Sequence, residues 1–297
     1  MRFEIERGSY WRLAAACMAV LVPLNWSWYA FGRQLPGSLA LYIVAGSVVY
    51  FALLSWLTGI RFSDISYEAR FIVVSATVLL VVFLGFGRSD TYARLFQQFV
   101  PKDTRTPLLG FAYFATCSVL LRLVIPYLLV RFKLRQPPRE YGYVVRGGTG
   151  MRWVYLGLFV VMVPLVIWAS RLPDFQSSYP QARGLITGHE ISLRLFILYH
   201  AAYFMMFVSG ESFWRGYMTF GLGRDLGVAA LPWMVMMYSI GHYGKPLLEV
   251  NGSIVAGFVL GYLALRHRSF FLGAVLHWSI ALTLDLAVLY QRGLTWH

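Results

Sequence analysis

The sequence predicts an all-α polytopic membrane protein with about eight or nine transmembrane helices, and three observations carry that expectation. Hydrophobic residues make up 58% of the 297 positions and charged residues only 13%. Apolar runs recur along the whole chain at close to the ~20 residues that a helix needs to cross a bilayer. The 26 Lys and Arg residues fall mostly between those runs, the distribution that the positive-inside rule produces. The formal net charge of +13 is therefore read as loop charge at a membrane surface, with the lipid bilayer and not nucleic acid as the partner.

Taken in order, the apolar segments lie at about 13–31, 39–58, 71–87, 107–130, 153–170, 195–221, 229–243, 252–265 and 269–290. Residues 1–12 lead directly into the first segment, which reads as a span and not as a removable signal. Counting Lys and Arg in alternate connections places fifteen on the side of the amino terminus and nine on the other, so the amino terminus is expected in the cytoplasm and His297 outside. Arg outnumbers Lys 23 to 3, a bias of GC-rich genomes that points to a bacterial inner membrane. Cys17 and Cys117 both sit in apolar runs, which leaves no disulfide framework and no thiolate metal cluster.

The connection 131–152 carries six basic residues, Pro137-Pro138 and the Gly147-Gly148-Thr149-Gly150 turn. It divides an N-terminal four-span unit, 1–130, from a C-terminal five-span unit, 153–297. Those glycines lack the Lys-Ser/Thr of a phosphate loop and the spacing of a dinucleotide fingerprint. Segments one to four hold one charge at depth, Arg122, read as a snorkelling or structurally paired cation. The external connection 171–190 reads as irregular.

The second half differs. Glu211 and Asp285 are the only acidic residues well inside apolar runs, and His200, His242 and His277 join them there. Ionisable groups at such depth are costly and face a protein interior or a water-filled cavity. Glu211 and Arg215 are spaced i, i+4 in a segment expected to stay helical to about 221, which puts them on one α-helical face. By helical rise, Glu211, His277 and His242 lie roughly 15, 12 and 20 Å from the cytoplasmic face, so one cluster is allowed. His200 lies roughly 16 Å from Glu211 along the helix and reads as a core or pocket-lining histidine. Gly257 and Gly261 form a Gly-x-x-x-Gly pair suited to close helix approach. A carboxylate and two neutral imidazoles can activate water and hold an oxyanion or, as a minor alternative, bind Zn²⁺. His189-Glu190 has no second histidine to complete the zinc-protease helix motif, and no cofactor is expected.

Three ordered motifs carry a resemblance: Glu211-Ser-Phe-Trp-Arg215-Gly216; Tyr238-Ser-Ile-Gly-His242-Tyr-Gly-Lys245-Pro246 with Glu249; and Arg268-Ser269 followed by His277-Trp278. Over residues 190–290 the chain resembles the CPBP intramembrane endopeptidases, the family of the type II CAAX prenyl proteases and of bacterial relatives tied to bacteriocin processing and immunity. The resemblance implies a CPBP-like helical core in which Glu211, His242 and His277 are catalytic, with Arg215, Lys245, Glu249 and Asp285 supporting. Two positions depart from the family pattern: Gly210 stands where its water-activating glutamate belongs, and Ala281 where its asparagine belongs.

The resemblance and the buried ionisable residues together lead to the expectation of an intramembrane glutamic-type endopeptidase acting on a membrane-associated protein or peptide. A non-catalytic relative that serves as scaffold or partner-binding protein stands beside it. A proton- or ion-coupled transporter using Glu211 and Asp285 is the third reading.

Overall fold

The computed structural model describes residues 3–35, 37–96, 99, 106–146, 149–181 and 183–297. Gly147 and Gly148 of the expected turn lie outside the described residues. The helices are α1 (Arg7–Ala30), α2 (Ser38–Thr58), α3 (Tyr67–Phe86), α4 (Ser89–Phe96), α5 (Thr106–Val119), α6 (Ile125–Leu128), α7 (Thr149–Ala169), α8 (Pro173–Ser178), α9 (Leu193–Glu211), α10 (Gly221–Leu226), α11 (Ala230–Ile240), α12 (Leu247–His267) and α13 (Phe271–Gln291). Eight stretches of helix among the described residues are long and apolar enough to cross a membrane. The chain is an all-α integral membrane protein.

Three local features depart from the sequence reading. Segment four is not one α-helix, because π-helical turns at Leu120–Val124 and Leu129–Lys133 flank α6. Pro126 sits between them, and a residue without an N–H cannot continue the α-helical ladder. Segment six changes register at its end: α9 stops at Glu211, and Ser212–Phe220 form a π-helix in which all nine residues are buried. The Thr219 hydroxyl donates to the Trp214 carbonyl, five residues back, at 2.8 Å, the spacing of a widened turn. The α-helical i, i+4 premise for Glu211 and Arg215 therefore ends at Ser212. Segment seven is α11, an 11-residue helix. At 1.5 Å per residue it covers about 16 Å, half the hydrocarbon thickness; it is buried at every position.

Packing groups the helices differently from their linear order. One compact unit comprises residues 1–85, 125–144 and 212–270, the other 86–124, 145–211 and 271–297. In the first, α11 is the centre and packs on α1, α2 and α12. Gly257 and Gly261 form the α12 face of that contact: a Cβ at Gly261 would lie 2.7 Å from the Leu231 side chain, and one at Gly257 3.0 Å from Val235. Small residues let these backbones approach. At one end of this unit the amino-terminal segment and several connections meet. Phe3 N–H donates to the Asp225 carbonyl at 2.9 Å, Ser66 N–H to the Asp225 carboxylate at 2.5 Å, and Ser269 Oγ to the Val144 carbonyl at 2.6 Å, while Arg224 pairs with Glu140.

In the second unit α13 packs against α7 and α9, and α5 against α9. The connection 171–190, expected to be irregular, is partly ordered. It holds α8 and a short sheet in which β1 (Ile186–Thr187) pairs antiparallel with β2 (Glu190–Ile191), and β2 pairs parallel with β3 (Thr295–Trp296). The carboxy-terminal segment thus shares an end of the unit with the start of α9, where Leu193 N–H donates to the His297 carbonyl.

Candidate active site

Helices α9 and α13 run side by side because both present aromatic and aliphatic residues to a common core that includes Tyr199, Tyr203, Met206, Ala281 and Leu289. Two carboxylate–histidine pairs bridge them. At the carboxy-terminal end of α9, Glu211 Oε1 lies 3.0 Å from His277 Nδ1. The carboxylate is buried to 1% exposure, whereas the imidazole keeps 23% of its surface open. Phe207, one turn before Glu211, packs its ring 4.5 Å from that of His277. The imidazole is held by a ring contact and by a hydrogen bond at one nitrogen. When Nδ1–H donates to the carboxylate, Nε2 carries the lone pair, and the carboxylate thereby sets which nitrogen can act as a base.

The other pair lies two turns further along α13. Tyr199 donates to Asp285 Oδ2 at 3.0 Å, and His200 Nε2 stands 3.4 Å from the same oxygen. Asp285 is fully buried and His200 is 5% exposed. Eight residues separate His277 from Asp285, a rise of about 12 Å, so the contacts of Asp285 are with Tyr199 and His200. His200 is buried against Phe196, Tyr199 and Trp278 and borders an open apolar groove.

Gly210 sits in an unbroken stretch of α9. A Cβ there would lie 3.3 Å from Nη1 of Arg122. The guanidinium is seated over the glycine by hydrogen bonds to Ser118 Oγ, from Nε at 3.1 Å and from Nη2 as well, and to the Met206 carbonyl at 3.4 Å. Ser118 and Ser209 share a hydroxyl–hydroxyl bond of 2.6 Å. The Arg122 guanidinium, from the π-helical extension of α5, thus lies against position 210, and Ala281 lies in the apolar core between α9 and α13.

Arg215, His242, Lys245 and Glu249 belong to the other unit, and Tyr238 organises two of them. The Arg215 guanidinium lies 4.2 Å over the Tyr238 ring, a cation–π contact strengthened by complete burial. The His242 ring is 4.4 Å from the same ring, with Nδ1 2.7 Å from the Tyr238 carbonyl. Lys245 and Glu249 pair at 2.6 Å, with Glu249 in the first turn of α12, where a negative charge suits the helix dipole.

Arg122 carried a sequence signal as the one charge inside segment four. Tyr238 and Trp278 stood within the motifs that carry the resemblance but without a role of their own, and Ser118 and Tyr199 carried no signal, since aromatic and hydroxyl residues in apolar runs are ordinary packing. Among the described residues no three His, Cys, Asp or Glu side chains gather as a metal site. Compared with protein-family models, curated proteins and solved structures, the chain matches none of them.

Proposed function

We propose that this chain is an intramembrane endopeptidase of the CPBP kind, in a bacterial cytoplasmic membrane, hydrolysing peptide bonds of a membrane-associated protein or peptide, with Glu211 acting through His277 where the sequence reading had the glutamate itself activate water. The observation that carries this reading is the 3.0 Å bond between the buried Glu211 carboxylate and the partly open His277 imidazole. A carboxylate that fixes the Nδ1–H tautomer leaves Nε2 to take a proton from water as the water oxygen attacks a scissile carbonyl. The carboxylate then stabilises the imidazolium, and the same proton goes to the leaving amine as the C–N bond breaks. The resemblance adds His242 and Arg215 to this chemistry, an assignment for substitution to test.

A second reading, a non-catalytic relative that binds a partner, is favoured by Gly210 with the Arg122 guanidinium over it. A deletion strain complemented with wild-type chain, Glu211→Gln or His277→Ala distinguishes the two. Loss of substrate cleavage in the termini of the membrane proteome, with both variants present at wild-type levels, supports the peptidase. Full rescue by Glu211→Gln leaves the scaffold.

The proposed orientation has the amino terminus and the connection 131–152 in the cytoplasm and His297 outside. It draws support from the contacts that join Phe3, Glu140 and Ser269 to their partners at one end of their unit. Reporter fusions after residues 140 and 297 should report opposite sides; the same side for both would overturn it.

A further inference from the structure

A run of cations at the end of the fourth span takes no part in the proposed hydrolysis. That span reaches Lys133, and Arg131, Lys133, Arg135 and Arg139 follow one another over nine residues, all four exposed. None of them makes an ion pair or a side-chain hydrogen bond among the described residues. The connections that meet at this end of the first unit, 58–70, 131–144, 221–229 and 264–270, hold nine Lys or Arg against four Asp or Glu. Three of those four carboxylates already have partners: Glu140 pairs with Arg224, Asp225 accepts from Ser66 N–H, and Asp64 accepts from Arg61 N–H at 2.8 Å. The positive surplus is not neutralised from within.

Cations at a helix end can serve the fold by bonding its last carbonyls; here the backbone does that. Leu134 N–H donates to the Leu129 carbonyl at 2.9 Å and Gln136 N–H to the Val130 carbonyl at 3.0 Å, with Arg135 between them in the left-handed region at φ 54°. The four side chains are left to face outward. Their setting is not purely aqueous: Leu128 and Phe132 are 44% and 67% exposed in the same final turns, and Lys133 Nζ stands 6.0 Å from the centroid of the Phe71 ring near the start of α3. Exposed apolar side chains of a membrane-crossing span lie against acyl chains, and cations at its end lie at headgroup level. A partner for this surface carries negative charge with apolar chains directly beneath it. An acidic phospholipid has both, whereas an acidic peptide matches only the charge.

We infer that residues 128–139 form a binding surface for anionic phospholipid, with the lipid phosphate held by Arg131, Lys133 and Arg135 and the acyl chains against Leu128 and Phe132. Basic clusters directly beyond a span attract acidic lipid, each cation contributing a factor of about five. The surface shares no residue with the hydrolytic reading and stands without it.

The test uses purified, delipidated full-length chain in dodecyl maltoside and palmitoyl-oleoyl-phosphatidylglycerol as the probe, with retained lipid counted by native mass spectrometry. Saturable retention is expected, about tenfold or more above that of phosphatidylcholine with the same acyl chains. Arg131→Gln, Lys133→Gln and Arg135→Gln together should weaken it about a hundredfold, at about fivefold for each cation. Arg33→Gln, which removes an exposed cation beyond the opposite end of α1, should leave it within about twofold of wild type. Thermal midpoints are measured alongside, and Lys133→Gln alone, expected to lose about fivefold, gives the same reading at one exposed position should the triple variant fold poorly. Equal retention of the two lipids, unchanged retention by Lys133→Gln and the triple variant, an equal loss with Arg33→Gln, or displacement of the lipid by inorganic phosphate or a poly-glutamate peptide at equal concentration would each overturn the proposal.

Discussion

The same two helices carry a carboxylate–histidine pair at each end, with the residue types exchanged: His200 and Glu211 on α9 face Asp285 and His277 on α13. In composition the pairs are alike, yet their settings differ. Glu211 bonds directly to an imidazole that keeps about a quarter of its surface open, whereas Asp285 is fully buried and bonded to Tyr199 while His200 stands at 3.4 Å. A hydrogen-bonded imidazole that keeps part of its surface open can meet a water. An imidazole sealed among Phe196, Tyr199 and Trp278, with both ring nitrogens buried, has no such access. The difference shows that the chemistry of such a pair is set by access and by the third partner rather than by the two residues themselves.

The largest test of this contrast is functional. Glu211→Gln and His277→Ala should each lower cleavage of a native substrate by about 10²- to 10⁴-fold, the usual worth of acid–base catalysis. Asp285→Asn should lower it by less than about tenfold, because it leaves that machinery in place. Equal losses, measured by the appearance of cleaved termini, would break the distinction between the pairs.

Stability should order the pairs the other way. Tyr199→Phe removes the hydroxyl that donates to the fully buried Asp285 and is expected to cost about 1–3 kcal/mol. Unfolding in detergent should therefore show a larger drop in thermal midpoint for Tyr199→Phe than for Glu211→Gln, whose side chain keeps its shape.

Ser118→Ala addresses the cation beside the Glu211 end. It removes the hydroxyl that accepts from Arg122 and should cost about 0.5–1.5 kcal/mol. Gly210→Ala should have the smallest effect, within about 1 kcal/mol of wild type. The helix gains roughly that much from losing a glycine, while the new Cβ, 3.3 Å from Arg122 Nη1, asks the guanidinium to yield by a few tenths of an ångström. A loss several times larger would mean that Arg122 cannot move and that its seat over Gly210 is essential to the Glu211 end.

Much was legible in the sequence because it depends on short-range properties. Hydropathy sums over a window, so the apolar segments and the all-α membrane class followed from composition and spacing alone. The rarity of charge in those segments singled out Glu211, His277, His200 and Asp285 before any contact was known. Gly257 and Gly261 were recognisable because a missing side chain permits close approach whatever the partner. Tertiary structure alone decided which of these groups meet. The rotation and stagger of α9 against α13 bring His277 to Glu211 and Asp285 to Tyr199 and His200, and both depend on residues more than sixty positions apart. The π-helical turn at Ser212, the 11-residue length of α11 and the Arg122 guanidinium over Gly210 were equally hidden. Each is a compromise between backbone hydrogen bonding and packing against distant helices, and a local pattern cannot contain the shape of a neighbour it does not include.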